Sequence, residues 1–190
     1  MFDPSGPVLG IDPGLSCCGY GAILGRGEDC HVVASGVIRT PASDELPARL
    51  GQLADAIDAL LEDLAPSAMA VERVLFQTNV RTAMSVAQAS GLAMAAAARL
   101  GIPVMQYSPN EVKLAVTGSG SADKAQVQAM VARLLRLAVP PKPPDVADAL
   151  ALALCHTSGA TVRSARNAAV SPAPGYERAV AAALARDAIR

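Results

Sequence analysis

Two five-residue apolar runs that each end in a carboxylate, VLGID at 8–12 and AMAVE at 68–72, constrain this chain more than any other feature. Runs of that length and composition read as buried strands. An unpaired carboxylate at the end of such a strand is costly to bury, so each acid calls for a partner. Between the runs Leu46, Leu50, Leu53, Ile57, Leu60, Leu61 and Leu64 recur at three- and four-residue spacing, which predicts one helix over 46–64, stopped by Pro66. A helix between two strands predicts a crossover with parallel pairing. If the strands are neighbours, Asp12 and Glu72 stand side by side at the carboxyl end of a sheet, where α/β proteins gather their functional groups.

Further strands are predicted at 18–25 and 31–39, joined by the Gly-Arg-Gly-Glu-Asp turn at 25–29, and a short one, PVMQY, at 103–107. The short links among the first three imply an antiparallel meander. A helix over 80–99 is closed by Gly101, and others are predicted at 109–116, at 122–137 with Asp123 or Ser121 as cap, and at 145–157 opening at Pro143-Pro144-Asp145. This order predicts an α/β fold with a five-stranded mixed sheet flanked by helices. A chain of 190 residues, 52% hydrophobic, suffices for one core. The main domain runs over 7–158. Residues 159–190 form a C-terminal extension rich in Ala, Arg and Ser, with a last amphipathic stretch at 176–189 that reads as a loose helix or a disordered tail.

A net charge of −1 gives no global sign of a polyanionic partner. Its distribution is uneven. Residues 41–72 hold Asp44, Glu45, Asp55, Asp58, Glu62, Asp63 and Glu72 against the single base Arg49. Residues 73–142 hold Arg73, Arg81, Arg99, Lys113, Lys124, Arg133, Arg136 and Lys142 against Glu111 and Asp123. This predicts one face that accepts a polyanion and one that repels it, although solvated helix faces produce the same pattern. Cys17, Cys18, Cys30 and Cys155 show no zinc spacing. With no secretion signal and no convincing membrane span, the expected location is a reducing cytoplasm.

PPDVADAL adds Asp145 and Asp148, three apart and so on one face of a helix start. Taken singly, Asp12 before Pro13-Gly14 reads as a turn former, Asp145 as an N-cap, and Asp148 as a partner of the helix dipole. Glu72, at the end of an interior run, resists such a reading. Four carboxylates crowded together force protonation unless a cation joins them, and oxygen donors favour magnesium or manganese. Two such ions about 3.5–4 Å apart are a known device for in-line displacement at a phosphodiester.

These residues resemble the RuvC-type Holliday junction resolvases, a family on the ribonuclease H-like fold. LGIDPG, AVERV, NVRTAMSVAQASG, SPNEVKLAVTGSGSADKAQV and PDVADALALALCH match its blocks in order and spacing, covering about 8–158. The resemblance makes 7–158 a ribonuclease H-like nuclease domain. It implies a crossover junction endodeoxyribonuclease of recombination and repair in which Asp12, Glu72, Asp145 and Asp148 are the metal-binding catalytic acids. It implies Mg2+, two per subunit, with Mn2+ able to substitute. It also implies a homodimer that nicks opposed strands of a four-way DNA junction, leaving 5′-phosphate and 3′-hydroxyl ends, with a branch-migration motor of the RuvA-RuvB type. Lys113 and Lys124 fall in its phosphate-binding blocks, and Arg73, Asn79 and Arg81 follow Glu72 toward the same groove. Where the family often has a stacking aromatic three residues after the glutamate, this chain has Leu75, with Phe76 next.

Two-fold symmetry of a four-way junction is met most simply by an isologous dimer. The helix at 80–99 is the interface candidate: Ala87, Gly91 and Ala95 allow close approach, and Met84 and Met94 fill gaps. Cys17, Cys18 and His156 read as packing or incidental residues. The rival readings are a ribonuclease H-like nuclease on another nucleic acid, a non-catalytic junction-binding module, and an actin-like ATPase or sugar kinase, which needs a duplicated domain.

Overall fold

In the computed structural model of the chain, residues 5–73 and 80–167 are described, so the stretch expected to be amphipathic at 176–189 lies outside them. The first of two compact units, residues 1–158, contains one five-stranded sheet. Its strands are β1 (Val8–Asp12), β2 (Cys17–Leu24), β3 (His31–Arg39), β4 (Ala68–Glu72) and β5 (Val104–Tyr107). Spatial order is β3-β2-β1-β4-β5. The meander β1–β2–β3 is antiparallel, and β4 joins β1 and β5 in parallel. This is the mixed sheet expected of a ribonuclease H-like fold.

Among the described residues five α-helices flank it: α1 (Leu46–Leu64), α2 (Val80–Arg99), α3 (Pro109–Thr117), α4 (Lys124–Leu134) and α5 (Pro144–Asn167). Strand alternation sorts the core into two layers. Leu9, Ile11, Met69 and Val71 pack with Leu53, Ile57 and Leu61 of α1 and with the alanines of α2. On the other face Ala70 and Ile23 meet α5, which α3 and α4 cover through Val112, Val127 and Val131. Nearly every residue of α5 from Val146 to Cys155 is buried, because it lies between the sheet and that helical hairpin.

Boundaries differ from expectation in two helices. α5 runs to Asn167 rather than ending near 157, since Thr157, Ser158 and Gly159 weaken a helix without blocking it and no proline follows before Pro172. α4 is shorter than 122–137. Asp123 rather than Ser121 caps it, in a reciprocal box with Gln126, and beyond its other end Arg136 takes a left-handed conformation (φ 54°). Among the described residues no helix is long and apolar enough to cross a membrane.

Candidate active site

Asp12 closes β1 and Glu72 closes β4, adjacent parallel strands in which Ile11 pairs with Val71. Because Leu9, Ile11, Met69 and Val71 face α1 and α2, the alternate residues Asp12 and Glu72 face α5. Asp145 and Asp148 lie at the start of that helix. Missing side chains bring it close. A Cβ on Gly10 would run into the Ala149 carbonyl, and one on Gly19 into the backbone of Asp145. Acids far apart along the chain are thereby gathered at one place by β1, β4 and α5.

The electrostatics show how tightly the acids are coupled. Burial pushes Asp12 up to about 7, and the negative charges of Asp148, Glu72 and Asp145 push in the same direction, while Lys124 opposes them. Glu72 is also raised, first by burial and then by Asp148. Lys124 Nζ stands 2.9 Å from Asp148 Oδ2, and this hydrogen bond holds the ammonium above its usual range. A cation in the first turn of α4 opposes the helix dipole, so its pairing with Asp148 compensates a local cost. One ammonium among four carboxylates leaves the cluster short of positive charge.

Among the described residues no three His, Cys, Asp or Glu side chains form a ready-made metal cage. Lys124 instead occupies the position beside Asp148 that a cation would contest. The donor set nonetheless fits a hard divalent ion: it is all carboxylate, partly buried, and destabilised by its own charge.

Beside the acids opens a cleft of about 280 Å³ whose lining includes Glu72, Asp148, Lys113, Lys124, Val112 and Leu152. Its far wall is the α3–α4 hairpin. Ser108 and Glu111 form a capping box on α3, as Asp123 and Gln126 do on α4, which fixes the starts of the two helices that carry the lysines. Both predicted phosphate lysines thus reach the same cleft as two of the acids. Arg73 is exposed and donates from Nη2 to the Gln106 carbonyl at 3.3 Å. Leu75, Phe76 and Asn79 lie outside the described residues, as does the side chain of Arg81.

Two residues read as incidental have partners. Cys17, in register opposite Arg39, lies within electrostatic reach of Asp145; burial and that charge raise its thiol. His156 Nδ1 lies 3.0 Å from the buried Tyr107 hydroxyl, edge-on to the ring. Only the parity of Cys17 with Gly19 on β2 hinted at the first contact, and nothing local hinted at the second.

A family model described as Crossover junction endodeoxyribonuclease RuvC matches residues 8–156. A protein of that name from Salinispora arenicola is 56% identical over 167 residues, covering 87% of this chain and 95% of the relative. Another from Thermobifida fusca is 57% identical over 150 residues, covering 78% of this chain and 82% of the relative. Among solved structures, T. thermophilus RuvC in complex with Holliday junction substrate superposes with a TM-score of 0.79 at 34% identity, over 84% of this chain and 97% of that one.

Proposed function

From the premise that this chain belongs to the crossover junction endodeoxyribonuclease RuvC family, metal-dependent nucleases that resolve Holliday junctions, we propose that Asp12, Glu72, Asp145 and Asp148 are its catalytic metal ligands. The chain is a structure-selective endonuclease of DNA recombination and repair. The observation that carries the residue assignment is that Asp12 at the end of β1 feels the charges of Glu72, Asp145 and Asp148 together, and that Glu72 and Asp148 border a cleft that also holds two lysines.

Magnesium, two ions per subunit with manganese as a substitute, would supply the activated water and the stabilised leaving oxygen for phosphodiester hydrolysis. The remaining work falls to the chain. Glu72 and Asp148 border the cleft, and Lys113 and Lys124 supply the positive charge that holds a strand's phosphates against them. With its proton affinity raised to about 7, Asp12 carries a proton for much of the time near neutral pH, which it would have to give up to act as a ligand. The ion pair with Lys124 holds the Asp148 carboxylate in place meanwhile. By the family reading Arg73, Asn79 and Arg81 are further DNA contacts, and Leu75 or Phe76 takes the place of the stacking aromatic. The products are 5′-phosphate and 3′-hydroxyl ends.

A homodimer places two such sites for opposed nicks. Supporting it, Ala87 and Ala95 of α2 are exposed, a Cβ on Gly91 would meet nothing within 4 Å, and Met84 is 57% exposed on the same helix. Partnership with a RuvA-RuvB type motor and a cytoplasmic location follow from the family reading. The experiment is cleavage of an immobile four-way junction with and without magnesium, against a linear duplex and an RNA–DNA hybrid. Asp12→Asn, Glu72→Gln and Asp148→Asn are expected to bind the junction and leave it uncut; normal cutting by all three overturns the assignment.

A further inference from the structure

β1 ends at Asp12, and residues 13–16 cross to β2 without ladder hydrogen bonds of their own. Leu15 in this turn is buried, so its carbonyl needs a donor from elsewhere. Thr40, itself buried at the end of β3, provides it: its Oγ1 donates to the Leu15 carbonyl at 2.6 Å. The same Thr40 oxygen accepts from Arg49 Nε at 3.0 Å, and Arg49 Nη2 donates to Ser16 Oγ at 2.6 Å. One guanidinium on α1 therefore grips the turn at two points, directly through Ser16 and indirectly through Thr40.

Arg49 breaks two local rules to stand there. It is a cation in the first turn of a helix, where the dipole disfavours it. It is also the only base among the seven acids of residues 41–72, yet among the described residues it forms no ion pair. Asp44 instead accepts from Gln52 Nε2 at 2.9 Å and from Ser43 Oγ at 3.3 Å. Donors placed against local electrostatic preference point to a role in what they hold.

We propose that Arg49, acting through Thr40 and Ser16, is the positioning residue for the turn that carries Asp12 at one end and leads into β2 at the other. The grip comes from the α1 side of the sheet while Asp12 and Cys17 face α5, so the bolt fixes the acid without occupying its cleft. The inference rests on the reading of Asp12 as a metal ligand. Arg49 touches no reacting group, and a displaced turn acts by moving a ligand whose placement tolerates little error.

The test uses the full-length protein and four variants, Arg49→Ala, Arg49→Lys, Thr40→Val and Thr40→Ser, with Asp12→Asn as reference. Three quantities are measured: turnover of saturating junction in magnesium, junction affinity in EDTA, and Mn2+ affinity without DNA by electron paramagnetic resonance. Thr40→Val and Arg49→Ala are expected to lose about tenfold or more in turnover and to bind Mn2+ correspondingly more weakly, with junction affinity within about twofold. Thr40→Ser, which keeps the hydroxyl, is expected to restore both. Arg49→Lys, with one point donor in place of a fork, falls between. If Thr40→Val does not fold, the half-buried position's variants Arg49→Ala and Arg49→Lys decide the matter. Wild-type turnover and Mn2+ affinity in the Arg49 variants overturn the proposal, as does failure of Thr40→Ser to rescue a folded Thr40→Val. Full activity of Asp12→Asn overturns the underlying site reading instead.

Discussion

Toward α1 and α2 the central strands present Leu9, Ile11, Met69 and Val71; toward α5 they present Gly10, Gly19, Gly21 and Ala70. Both faces are well covered. Large side chains on the first face fill the space between sheet and helices, and that layer contributes stability through buried area. Small ones on the second leave no such spacer, so the α5 backbone lies against the strands. Acids at the strand ends and acids at the helix start are thereby set within electrostatic reach. One face stores packing energy, and the other converts close approach into a charged site.

The largest test of this contrast is removal of a charge from one of the proposed ligands. Asp148→Asn is expected to lower junction cleavage by on the order of 10³-fold with binding nearly intact, read by single-turnover cleavage and gel shift. A paired packing test comes next. Leu9→Ala on the α1–α2 face is expected to cost about 2–5 kcal/mol in denaturant unfolding while turnover below the melting range is kept. Gly10→Ala on the α5 face is expected to cost about 1–3 kcal/mol and also to lose turnover, because the added methyl meets the Ala149 carbonyl and displaces the acids. Equal turnover in the two variants would break the comparison.

A pH test is smaller. The folded chain holds Asp12 near 7 against an ordinary value of 3.8, so between those values it binds a proton that the unfolded chain has released. The stability from that proton is complete below the lower value and is lost as pH rises through the upper one. In EDTA the melting temperature is therefore expected to fall between about pH 4 and about pH 7, and Asp12→Asn to flatten the fall. Lys113→Ala and Lys124→Ala should each weaken junction binding and reduce its salt slope by about 1. The smallest effect belongs to the outer surface where α2 meets α1: Arg99 pairs with Asp58 at 2.7 Å with both side chains exposed, and Arg99→Ala is expected to change stability by less than about 1 kcal/mol.

Much of this was legible in the residues. The strand-end acids announced themselves because an apolar run terminating in a carboxylate has few structural uses, and the helix separating them dictated parallel pairing. Lys113 and Lys124 were visible only through resemblance, since an isolated lysine carries no local signature. The Arg49–Thr40–Ser16 bolt was not visible, because its members come from three separate segments and none stands in a local pattern that marks it. Its one trace was the lone base in an acidic stretch. Cys17 passed as packing for the same reason: the contact that matters is with a residue far along the chain.

By itself the amino-acid order determined which segments are strands and helices and which acids end them, because hydrophobic period, breakers and caps act within a few residues of one another. Whether those acids share a face, and how closely α5 can approach them, was decided only on folding. That outcome depends on strand register and on the absence of side chains at Gly10 and Gly19, quantities that acquire meaning when distant segments occupy the same space.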